Sequence, residues 1–199
     1  MRKVNLIWLN AAQTLGGALL LVACFLQFAR AADVPRIEQE ERDRMFFGTI
    51  DELTRRIGWE PLHSKQLAPS EFEVRIWIGF GLMPLEAFVL RRDDDRWIGQ
   101  HVVDALKKSD VAVTRVTPRS GWNAIWKELQ DLQILTLPDE STLTPPPENV
   151  LDGGAYVVEV KEGDRYRTYT YTNPEIREQP EAKKIVAISH VLDREFEQR

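Results

Sequence analysis

Cysteine and histidine are scarce in this sequence: one cysteine, Cys24, and three histidines. A lone cysteine excludes an intrachain disulfide framework and any zinc site built on several thiolates. His63, His101 and His190 lie far apart, none with a second histidine at metal-ligand spacing. His190 directly follows Ser189, and neighbouring helix positions do not face one another. The serine-hydrolase elbow, S-x-x-K, H-E-x-x-H and glycine-rich phosphate loops are all missing, so no catalytic residue is nominated and nothing calls for a metal or cofactor. Positive charge is short as well. Twenty-six Lys and Arg stand against 31 Asp and Glu, a net charge of −5. Nucleic-acid binding needs a basic footprint that this balance does not supply.

Charge is absent altogether between Lys3 and Arg30. The uninterrupted small-and-apolar run inside that stretch, Leu15 to Leu26, is twelve residues long. A bilayer-spanning helix needs about 20 mainly apolar residues, whereas the core of an export signal needs about 7 to 15. Arg2 and Lys3 precede the run, and Ala29-Arg30-Ala31 follows as a small-x-small cleavage site. Residues 1–31 are therefore expected to form a signal peptide, cleaved before Ala32 or Asp33. Two alternatives stand beside it. The whole of residues 4–29 can serve as an uncleaved signal anchor, and Leu21-Val22-Ala23-Cys24 resembles a lipobox, with Cys24 as the lipidated residue. Each places the folded part outside the cytoplasm, periplasmic, secreted or in the cell envelope, with membrane contact only through this segment. Loss of Arg2, Lys3 and Arg30 takes the net charge from −5 to −8.

Residues 32–45 are mostly charged and read as a tether. Residues 46–199 are long enough for one domain. Phe46, Phe47, Ile50, Leu53 and Ile57 recur at helical spacing before Gly58 and Pro61. From Glu71 the period changes to two: Phe72, Val74, Ile76, Ile78 and Phe80 alternate with Glu71, Glu73, Arg75, Trp77 and Gly79. Leu85 to Arg92 and Arg96 to Val103 complete a meander, with Asp93-Asp94-Asp95 at a tip, and Asp110 to Val116 offers a short fourth strand. Three adjacent carboxylates can attract a hard cation, but no calcium-loop spacing follows them, and a solvated tip accounts for them. A helix with Trp122, Ile125, Trp126, Leu129 and Leu132 on one side follows, with Ser120 placed to cap it.

A proline-rich connector, residues 136–154, leads to the clearest local signal, two strands flanking Gly163-Asp164. With that tip, Glu162 opposes Arg165, Val160 opposes Arg167, Val158 opposes Tyr169 and Tyr156 opposes Tyr171. Slipping by one residue would mix the two faces, so the register is well specified. A last helix over 181–197 would bury Ala182, Ile185, Val186, Ser189, Leu192 and Phe196.

The fold class expected is α+β: an antiparallel sheet of about five or six strands, a meander plus a hairpin, with helices packed on one face. The opposite sheet face would then be polar and open. Its residues Arg75, Trp77, Glu159, Lys161, Thr168 and Thr170 are the candidate binding residues. The functional expectation is a non-catalytic binding or protein-interaction module of the envelope or periplasm, its partner an envelope protein or a small ligand. The alternative is an extracytoplasmic hydrolase whose carboxylate and histidine site forms only in the fold.

Overall fold

A computed structural model describes residues 41, 43–81, 83–105, 111–143 and 153–196. The expected signal peptide, its cleavage site and Cys24 lie outside the described residues, as do residues 144–152 of the connector. Contacts divide the chain into Met1–Met45 and Phe46–Arg199. In the first unit the described residues, 41 and 43–45, are helical.

The second unit contains a six-stranded antiparallel sheet. Helix α1 covers 46–56, followed by strands β1 (Phe72–Gly79), β2 (Leu85–Asp93), β3 (Arg96–Asp104) and β4 (Ala112–Val116). Helix α2 (Trp122–Asp131), β5 (Ala155–Glu162), β6 (Arg165–Thr172) and helix α3 (Pro180–Phe196) complete it. The strand order is β4-β3-β2-β1-β5-β6. The hairpin β5–β6 has the register its turn chemistry dictates, Glu162 opposite Arg165 through Tyr156 opposite Tyr171.

Even-numbered residues of β1 point to a face that α2 and α3 cover. Val74, Ile76, Phe88, Leu90, Val158 and Tyr169 meet Ile125, Leu129, Ile185 and Leu192 there. Aromatic rings line the seam under α2: Trp97 stacks on Trp122 with centroids 5.3 Å apart, and Phe72 meets Trp126 at 4.7 Å. The last helix buries Ile188 and Val191 along with five of the six side chains expected, leaving Val186 half-buried. Ser120 is not the side-chain cap of α2. Gly121, at φ 87°, takes the N-cap position, and the Ser120 backbone N–H donates to the Glu195 carboxylate on α3 at 2.8 Å. An anion from one helix thus sits at the positive end of the other.

The helices do not share one face, which corrects the sequence expectation. Helix α1 lies on the opposite side, where Phe46, Ile50 and Leu53 pack on Trp77, Ala87, Val102 and Val157. Arg56 of α1 pairs with Asp104 at the end of β3, 2.7 Å away. The polar face proves coverable because its charges neutralise one another across strands, as set out below.

The described part of the connector is fastened to the sheet. Asp139 and Glu140 sit beside edge strand β6, whose outward N–H groups need partners. The Thr170 N–H donates to Asp139 Oδ2 and the Thr172 N–H to Glu140 Oε2, both at 2.8 Å. Tyr171 donates its hydroxyl to the Pro138 carbonyl at 2.7 Å, fastening the same strap from the core side.

Gly99 on β3 lies under α2 with no room for a side chain. A Cβ there would stand 2.6 Å from Trp122 Cη2 and 2.9 Å from the Val116 carbonyl oxygen. The Gly99→Ala substitution is expected to destabilise the fold by about 1–3 kcal/mol through overpacking. Urea unfolding measures it, and an unchanged midpoint would contradict this packing.

Candidate functional site

The face under α1 is built from transverse rows that the strand registers define. One row reads Thr168, Glu159, Arg75, Val89, Gln100 and Arg115 from β6 to β4. The next reads Tyr166, Lys161, Glu73, Arg91 and Ile98. Opposite charges therefore meet across strands in both rows: Glu159 beside Arg75, and Glu73 between Lys161 and Arg91. Such pairs stabilise a sheet where like charges would oppose it.

Arg75 is only 1% exposed. Its Nε donates to Glu73 Oε1 at 2.8 Å and its Nη2 to the Glu60 carbonyl at 3.0 Å. The guanidinium also lies over the Trp59 ring, 5.5 Å from its centroid. Glu73 accepts from Lys65 as well. Burial pushes the Glu73 carboxyl up, but Arg75 and Lys65 outweigh it and hold its pKa below the ordinary value. Glu159, 2% exposed, accepts from Trp77 Nε1 at 2.7 Å and from the Tyr166 hydroxyl at 2.9 Å. For this carboxyl burial wins over Arg75 and the two donors, and its pKa is raised.

A cleft of about 430 Å³ opens on the β1–β4 side of this network, beside the loop that follows α1. Four cationic side chains line it, Lys65, Arg75, Arg91 and Arg115, against two acidic ones, Glu60 and Glu73. Trp59, Val89, Ile98 and Gln100 contribute to the remaining walls. Arg91 gives one guanidinium nitrogen to Glu71 at 2.8 Å. Among the described residues, Arg75 Nη1 and Arg91 Nε have no hydrogen-bond partner. Both guanidiniums thus keep donor capacity that their protein partners do not use.

The six residues nominated from the sequence do share this face, but they do not form an open surface. Trp77, Glu159, Lys161 and Thr170 are buried with Arg75, and Thr168 is partly covered. Lys161 spends its ammonium on the His63 carbonyl at 3.0 Å. Arg75 alone of the six lines the cleft. Sequence reasoning missed Lys65, Arg91 and Arg115. Arg91 and Arg115 carry the same parity signal as Arg75, since each falls on the α1 face of its strand.

The histidines stand elsewhere. His101 stacks on Phe88 under the other face and lies 3.5 Å from Glu86, while exposed His63 meets the edge of Tyr166 and interacts electrostatically with Glu159. Neither joins a pair of carboxylates, and neither lines the cleft. Among the described residues no group of three His, Cys, Asp or Glu side chains is arranged to hold a metal ion. The Asp93–Asp95 tip is a tight turn, with Asp94 at φ 52° and Asp93 paired to Arg96.

The two buried carboxylates should respond oppositely to neutralisation. A lowered pKa contributes stability above the ordinary carboxyl range, lost as pH falls through the folded value. A raised one opposes folding at neutral pH, and the penalty vanishes as pH falls toward the ordinary value. Glu73→Gln is therefore expected to lose about 3–5 kcal/mol at neutral pH, because it strips Arg75 of its buried partner. Glu159→Gln should match or exceed the wild type at neutral pH, with the two converging toward pH 4.5. Urea titrations across that range read both. Comparable losses in the two variants would contradict the assignment.

Compared with known proteins, the chain matches no family model and no curated protein, so the chemistry of this cleft rests on its own geometry.

Proposed function

We propose that this chain works outside the cytoplasm as a non-catalytic binding module, and that the cleft beside α1 takes an anionic group. Export rests on the leader's composition: two basic residues, a short apolar core and the Ala29-Arg30-Ala31 site. Anchoring through residues 4–29 and lipidation at Cys24 are the other fates of the same segment, and residues 32–45 act as the tether in either case. The partner is an envelope protein or a small ligand that presents the anion.

One observation carries the binding assignment. A protein of net charge −5 concentrates four cationic groups around one cleft, and the most deeply buried of them, Arg75, keeps an unpartnered Nη1. Low local dielectric strengthens each donor aimed at an anion, and an opposite overall charge makes the cleft a local exception on the surface. Arg91 and Arg115 reach it from β2 and β4, and Arg guanidiniums hold carboxylate and phosphate oxygens with paired donors. Glu73, already ion-paired twice, keeps Arg75 oriented.

Calorimetric titration with succinate and with inorganic phosphate at low ionic strength tests the cleft. Binding is expected, weakening as salt rises because half-exposed charges are screened. Arg91→Ala should weaken it by about 10- to 100-fold, the range of a charge-assisted hydrogen bond. Unchanged affinity in that variant, or no heat with either anion, would overturn the cleft assignment. Export is read separately from the protein mass in fractionated cells. A chain starting at Ala32 or Asp33 in an extracytoplasmic fraction is expected, and a full-length soluble chain in the cytoplasm would overturn it.

A further inference from the structure

We infer that the anion reaches the cleft on an extended acidic segment of a partner protein, which adds to the sheet as a strand alongside β4. The inference rests on the anion-binding reading of the cleft and names the kind of ligand. It begins with the two edges of the sheet. At β6 the outward N–H groups of Thr170 and Thr172 are taken by the carboxylates of Asp139 and Glu140. At β4 no described strand or carboxylate does the same. Four of its five residues are exposed, Val113 among them at 40%.

Hydrogen-bond parity shows which groups of β4 point away from β3. The two-residue turn Asp94-Asp95 makes Asp93 and Arg96 the closing pair of its hairpin. Counting along the registers from there, Gly99 with Val116, His101 with Thr114 and Val103 with Ala112 exchange the bonds between β3 and β4. The same count on β5–β6 leaves Thr170 and Thr172 pointing outward, which is what their bonds to the strap show. On β4 the outward backbone groups are therefore those of Val113 and Arg115.

Those two residues also present their side chains on the α1 face, in the rows of Val102 and Gln100. Arg115 lines the cleft itself. A strand added to β4 would set one residue opposite Arg115, on the cleft side, and another two positions away opposite Val113. The first position faces the excess of cations and calls for Asp or Glu. The second meets an exposed valine and calls for an apolar side chain. Backbone pairing supplies affinity in this mode of recognition, and alternate side chains supply selectivity.

A second copy of the chain fits less well. Antiparallel pairing of two β4 strands centred on Thr114 sets each Val113 against the other copy's Arg115. That leaves each guanidinium opposite a valine, with no acid to pair it.

The probe is a fluorescein-labelled capped peptide, alternating Thr with Val and Glu so that Val and Glu stand two positions apart. Anisotropy with the full-length chain should show saturable binding, weakened at least about tenfold when the peptide Glu is changed to Gln. Val113→Pro removes one outward N–H and leaves the ladder to β3 intact, since proline is tolerated at such edge positions. It should abolish peptide binding while the circular dichroism spectrum stays the same. If that variant loses structure, Arg115→Glu takes its place and should reverse the preference to a peptide bearing Lys. Equal affinity of folded Val113→Pro, or of the Gln peptide, would overturn the inference. Phosphate binding that depends on Arg91 without any peptide binding would overturn strand addition and leave the cleft standing. Failure of both ligands would remove both. Sedimentation showing a dimer without peptide, lost in Val113→Pro, would overturn it in favour of self-pairing.

Discussion

Arg75 carries its charge in the middle of a sheet that water barely reaches, and its neighbours are arranged around what that charge requires. An isolated ion in such a place is prohibitive, so a buried guanidinium persists only with ionic and hydrogen-bonded partners. Glu73 supplies one from the same strand, Glu159 stands across the β1–β5 pairing, and the Glu60 carbonyl comes from the loop after α1. Through that loop the charge is tied to the helix covering it. Trp77 joins the polar and apolar halves of the face, because its ring packs under Phe46, Ile50 and Leu53 while its indole N–H goes to Glu159.

The two sides of the sheet are accordingly different materials. Beneath α2 and α3 lies a dry interior of aliphatic side chains and aromatic rings, where volume is the governing constraint. Beneath α1 lies a mixed layer in which charge complementarity governs. Near β1 and β5 that layer is balanced, acid against base across each row. Toward β3 and β4 the acids run out, and Ile98, Gln100 and Arg115 follow instead. The cleft lies where the balance fails.

The sequence showed the strands clearly because their side chains alternate, and it showed the β5–β6 register because a Gly163-Asp164 tip permits only one that separates the faces. It misled about the second face for a physical reason. Glu73, Arg75, Glu159 and Lys161 look solvent-bound one at a time, and become mutually neutral only once β1 is paired with β5, strands some eighty residues apart. Another signal pointed the right way. The runs Ala87-Phe88-Val89-Leu90 and Ala155-Tyr156-Val157-Val158 are apolar without alternation, as strands buried on both faces are. Helix α1 was visible by its periodicity, but nothing local told it which side of the sheet to cover. The cleft was less legible still, since Lys65, Arg75, Arg91 and Arg115 come from four separate elements.

The unequal edges limit how many molecules such a sheet can recruit. Fibres of paired strands need two free edges on every molecule, one to receive and one to offer. Here the strap of Asp139 and Glu140 holds the outward groups at the end of β6, and among the described residues no strand pairs with the outward side of β4. A strand added at β4 would find the end of β6 already occupied, which works against propagation of the sheet. On those terms one edge of a sheet can stand open without making the molecule a seed for its own polymer.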